Sequence, residues 1–88
     1  MEIDAILEER GSRYGDYAEV SLVSQNIKAA MRRSRNWNTL PADMKESLEM
    51  VANKLARLLN GDPTWVDSWR DGEGYMKLVA DRLERING

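Results

Sequence analysis

The sequence predicts an all-α fold: a small antiparallel bundle of one short helix followed by three longer ones. Three observations carry this. Apolar residues recur at steps of three and four through most of the chain, and no apolar–polar alternation of strand type occurs. The breaks between periodic segments hold glycine or proline and are short, so consecutive helices are expected to pack as antiparallel neighbours.

The first helix is expected from Ile3 to about Glu9, with Gly11 closing it, and Arg10 to Tyr17 is expected as a loop because it holds two glycines and no apolar period. A second helix starts at Asp16, whose spacing to Glu19 is that of a capping box. It runs to about Arg35 with Val20, Val23, Ile27 and Met31 on one face, and Asn36 to Pro41 break it. Thr39 or Leu40 is the expected cap of a third helix, with Pro41 in its first turn. Met44, Leu48, Val51, Leu55 and Leu58 form its stripe, and Asn60-Gly61-Asp62-Pro63 ends it. The fourth helix begins between Thr64 and Asp67 and reaches about Ile86, with Trp69, Met76, Val79, Leu83 and Ile86 as its apolar face. Gly72 and Gly74 each cost it roughly 1 kcal/mol relative to Ala, so a bend or a late start is expected there.

A chain of 88 residues makes one domain, residues 1–88, and buries only about 60–65% of the surface its unfolded form exposes. With no cysteine to staple so small a core, self-association into a homo-oligomer is expected. The lack of histidine removes His-based triads, general bases and zinc sites, leaving carboxylates, Lys, Arg, Tyr and hydroxyls for any chemistry. A metal, if bound, is then a hard cation such as Mg²⁺. No basic-then-apolar leader and no membrane-spanning run is present, so a soluble, cytoplasmic protein without membrane contact is expected. The net charge of -2 argues against general nucleic-acid binding.

On a helix turning about 100° per residue, Glu46, Glu49, Asn53 and Arg57 share a stripe away from the leucines. Asp67, Asp71 and Gly74 share one on the fourth helix, with Tyr75 and Leu78 beside them. Solvated faces explain both pairs. The alternative is that the four carboxylates hold Mg²⁺ against a polyphosphate, with Lys54 and Arg57 on phosphate oxygens. Lys28, Arg32, Arg33 and Arg35 form the one basic cluster, which favourable interaction with a helix C-terminus explains in part. With Arg10 and Arg13 it also makes a candidate anion site. Tyr14, Tyr17, Trp37 and Trp65 lie in or beside loops, where rings anchor an interface or stack on a base.

Several segments carry a resemblance. Ile6 to Arg10, Tyr14-Gly15-Asp16-Tyr17, Trp37, the run MKESLEMVANKLARLL from Met44 to Leu59, Asn60 to Pro63, Asp67 to Asp71 and Gly74 to Asp81 resemble a family of small phage proteins. More remotely the pattern is similar to the MazG and dimeric dUTPase group of all-α nucleotide pyrophosphatases. That resemblance implies Mg²⁺ between Glu-x-x-Glu on one helix, Glu-x-x-Asp on the next, and a nucleoside triphosphate. Glu46 and Glu49 match the first motif, whereas Asp67-x-x-x-Asp71 stands in place of the second.

Three functions follow as expectations. One is a Mg²⁺-dependent pyrophosphohydrolase with Glu46 and Glu49 catalytic, Glu46, Glu49, Asp67 and Asp71 on the metal, and Lys54, Arg57, Tyr75, Arg10, Arg13 and Tyr14 on the nucleotide. The second is a non-catalytic phage anti-defence protein, in the host cytoplasm, that sequesters a nucleotide or signalling nucleotide at a subunit interface. The third is a helical interaction module with no small ligand.

Overall fold

A computed structural model describes residues 2–88 and contains four α-helices: α1 (Glu2–Tyr14), α2 (Tyr17–Arg32), α3 (Ala42–Asn60) and α4 (Val66–Asn87). One turn of 3-10 helix, Trp37–Thr39, joins α2 to α3. Among the described residues there is no strand.

α1 runs five residues beyond the expected end, so the segment from Arg10 to Tyr14 is helix and not loop. Gly11 lies inside it with open space where a side chain would project. The stop is Gly15, whose φ of 92° is open to glycine at little cost and whose amide closes on the Gly11 carbonyl at 2.9 Å. Ser12 bonds back to the Glu9 carbonyl and Arg13 pairs with Glu9 one turn earlier, which carries the helix through.

α2 starts as the sequence predicts, with the Asp16 carboxylate accepting from the Glu19 amide. It ends at Arg32, three residues short of expectation, where the Ser34 hydroxyl takes up the Ala30 carbonyl at 2.9 Å. Pro41 occupies the cap position of α3 without a side-chain bond, while Thr39 turns its hydroxyl to Asn36, so neither Thr39 nor Leu40 caps. α4 begins at Val66 and is continuous through Gly72 and Gly74, so it does not start late.

α3 is the central helix, flanked by α2 and α4, and α1 packs across one end of α2 and α3. What lies between the helices is small. Ser24, Ser47, Ala52, Ala56 and Ser68 are buried along the seams with Val20 and the stem of Lys54, and among the described residues no large side chain is fully buried. The expected core holds in part: Met44, Leu48, Val51 and Leu58 on α3 and Val79 and Leu83 on α4 are half-buried, whereas Leu55 is 43% exposed, Met76 53% and Trp69 57%. The Trp69 indole N–H donates to the Pro63 carbonyl at 2.8 Å.

Two ion pairs set the α3–α4 register. Asp43 joins Arg82, and Lys54 joins Asp71 at 3.3 Å. The pairs are eleven residues apart on both helices, as an antiparallel alignment requires.

Candidate functional site

The register decides what the acidic pairs can do. Glu46 lies level with Val79 and Asp67 level with Leu58, so these two carboxylates are roughly 18 Å apart along the axis at 1.5 Å per residue. Glu49 turns toward α2, where it accepts from Arg32 at 3.1 Å. Asp71 turns toward Lys54, a residue only 9% exposed whose charge it neutralises. Among the described residues no three Asp, Glu, His or Cys side chains gather closely enough to hold a metal ion. The residues present therefore do not fit a shared Mg²⁺ site within one chain.

The substantial concavity lies elsewhere, in a cleft of about 830 Å³ enclosed by α1, α2 and α3. Its position follows from the tight turn at Gly15. There α1 doubles back over the N-terminal half of α2, and the Asp62 amide donates to the Arg13 carbonyl at 2.8 Å, pinning α1 to the end of α3. A cleft of this size lies within the range of small-molecule sites.

Three cations from three helices face it: Arg10 from α1, Lys28 from α2 and Arg57 from α3. Among the described residues none of the three belongs to an ion pair, although most other basic side chains do. Asp16 is the one carboxylate in the lining, and it is engaged as the α2 cap. The Arg57 guanidinium lies 4.6 Å from the centre of the Tyr14 ring. A guanidinium held over a ring in this way keeps N–H groups available for hydrogen bonds. Tyr14, Tyr17 and Leu7 supply apolar surface, and Ser21, Gln25 and Asn53 supply neutral hydrogen-bonding groups.

The structure thus divides the residues that the sequence singles out as nucleotide contacts. Arg10, Tyr14 and Arg57 come together in the cleft. Arg13 does not line it, because its guanidinium stacks on Trp65 at 4.1 Å. Lys54 is held by Asp71 on the α4 side of α3. Tyr75 lies with Asp71, Gly74 and Leu78 along a shallower groove on α4. Of the basic cluster, Lys28 reaches the cleft while Arg32 is taken by Glu49. Ser21 and Gln25 carried no signal in the sequence beyond their place on the polar side of α2.

Two carboxylates have depressed pKa values, and neither belongs to the cleft. The Arg82 side chain, bonded to Asp43, holds that carboxyl below its ordinary value. The Thr64 hydroxyl does the same for Asp62.

No family model matches the chain, and neither a curated protein nor a solved structure matches it.

Proposed function

We propose that this protein binds a phosphorylated small molecule of the nucleotide class in the α1–α2–α3 cleft, without hydrolysing it. The observation that carries this reading is the meeting of Arg10, Lys28 and Arg57, three cations without an ion-pair partner among the described residues, beside two tyrosines. Unpaired cations at a concave surface repel one another, and an anion relieves that repulsion. Tyrosine faces suit a base, and the neutral groups suit a sugar. Hydrolysis through Glu46, Glu49, Asp67 and Asp71 has less support, since Glu49 and Asp71 each face a protein cation and the other two lie at different levels. The sequestering reading, with its site in a cleft of one chain and not at the expected subunit interface, is therefore preferred to the pyrophosphohydrolase.

The test is thermal stabilisation by a panel of nucleoside mono- and triphosphates, cyclic dinucleotides, nucleosides and inorganic phosphate, each with Mg²⁺ and with EDTA, while chromatography follows product. A ligand at a hundred times its Kd stabilises by about 2.7 kcal/mol. The expected result is stabilisation by at least one phosphorylated nucleotide in EDTA, lost in Arg57→Ala, with no product formed. Turnover abolished by Glu49→Gln overturns the non-hydrolytic part, and indifference to the whole panel overturns binding.

A further inference from the structure

The four sides of α3 can be assigned one by one. Asp43 and Lys54 meet α4, Glu49 meets α2, and Asn53 and Arg57 line the cleft. The remaining side carries Leu48, Val51, Leu55 and Leu59, and the described helices cover it only in part: Leu48 and Val51 are half-buried, Leu55 is 43% exposed and Leu59 is 71% exposed. In the antiparallel register Trp69 lies level with Ala56 and Met76 level with Glu49, and at about 100° per residue the two, seven residues apart, share the flank of α4 turned from Asp71 and Arg82 toward the side of those leucines. Leu78 is half a turn away, on the groove side. The α3–α4 part of this face thus exposes a run of apolar side chains, Leu55, Leu59, Trp69 and Met76, and the cleft opens on the other face.

The amount of exposed surface fits a second copy of the chain as the cover of that face. A folded monomer of 10.1 kDa exposes about 5,300 Å², whereas this chain exposes 6544 Å². Its radius of gyration is 15.1 Å, against about 12 Å for a compact chain of this length. The excess, on the order of 1,200 Å² over the whole chain with open α1 included, is of the size that each subunit of a permanent homodimer buries, since such interfaces total about 2,000 Å² or more. A flat layer is also self-complementary about a two-fold axis through its face. We infer that two copies of this chain pack leucine face to leucine face, with Leu48, Leu55, Leu59, Trp69 and Met76 forming the core that a single chain lacks and with the two clefts directed outward. This inference is independent of what the clefts bind.

Light scattering coupled to size exclusion reads the result directly. The wild-type chain is expected at twice 10.1 kDa, with a melting midpoint that rises by several degrees between about 5 and 500 µM, as mass action requires when folding and association are linked. Leu55→Glu is expected to shift the mass to that of the monomer, or to abolish folding, while Leu78→Glu on the opposite side keeps the dimer. A wild-type monomer whose melting is independent of concentration overturns the inference, whether or not Leu55→Glu folds. A dimer that survives Leu55→Glu but is lost in Leu78→Glu moves the interface to the groove side and overturns it equally.

Discussion

Gly15 and Gly61 meet backbone to backbone: a β-carbon on Gly61 would lie 2.5 Å from the Gly15 amide nitrogen, and one on Gly15 would lie 2.6 Å from the Asn60 carbonyl oxygen. Gly15 also holds a positive φ of 92°. The end of α1 and the end of α3 are in this way closed on each other with no side chain between them. Gly15→Ala is therefore expected to cost at least about 2 kcal/mol, from the left-handed backbone and the clash together. Gly11→Ala, in open space inside α1, is expected to gain roughly 0.5–1 kcal/mol. Urea unfolding of the two variants checks both signs.

Gly72 makes the complementary case on α4. It is helical, and an added β-carbon meets nothing within 4 Å. Gly72→Ala is expected to stabilise by about 1 kcal/mol, raising Tm by roughly 4–8 °C in a domain of this size. A Tm that falls instead would show that α4 needs the glycine for something other than its own folding.

The Lys54–Asp71 pair is asymmetric, with the lysine side chain 11% exposed and the aspartate 54%. Removing the exposed partner leaves a buried ammonium uncompensated, whereas removing the buried one leaves a carboxylate that water can solvate. Asp71→Asn is expected to cost roughly 1–2 kcal/mol and Lys54→Met less than that. A double-mutant cycle by chemical denaturation measures the coupling.

Acid stability follows from Asp43 and Asp62. Both carboxyls sit below the ordinary aspartate value of 3.8 because Arg82 and Thr64 bond their charged forms. A depressed folded value means stability that is fully present above about pH 3.8 and is lost as pH falls through the lower, folded value. Asp43→Asn is accordingly expected to be less stable than wild type at pH 7, with the difference narrowing below pH 4. Melting curves from pH 7 to pH 2 test this, and a gap that stays constant with pH would contradict it.

In the cleft, Arg57 is placed to act as a planar fork, not as a point charge. Arg57→Lys keeps the charge and loses both the stack on Tyr14 and the paired donors. Under the proposed function, affinity for a phosphorylated nucleotide is expected to fall at least about tenfold, and Tyr14→Phe, which keeps the ring, is expected to bind nearly as wild type. Titration calorimetry on the two variants separates charge from geometry.

Local signals in the sequence read well and relational ones did not. The Asp16 cap, the end of α3 at Asn60 and the start of α4 near Val66 all rest on residues a few positions apart, and the structure holds them. Gly11 was expected to stop α1 because composition cannot tell a glycine tolerated in a helix from one that needs a positive φ, and the latter is Gly15. The acidic stripes were correctly placed around each helix, but the offset between α3 and α4 is a property of the pair, and it sends Glu49 and Asp71 to different partners. Periodicity likewise found the leucine stripe of α3 without showing whether a helix of the same chain covers it. Arg10, Tyr14, Lys28 and Arg57 were each visible singly, and only the turn at Gly15 brings them together.

The seams built from Ser24, Ser47, Ala52, Ala56 and Ser68 also govern how this sequence is free to diverge. In most small domains the positions least able to change are bulky ones, whose truncation leaves a hole. Here they are the smallest, because any enlargement pries apart helices that nearly touch, and a serine or alanine at these points is a spacer whose defining property is what it lacks. Descendants of this chain are expected to trade one small residue for another along the seams while their outward positions vary more widely.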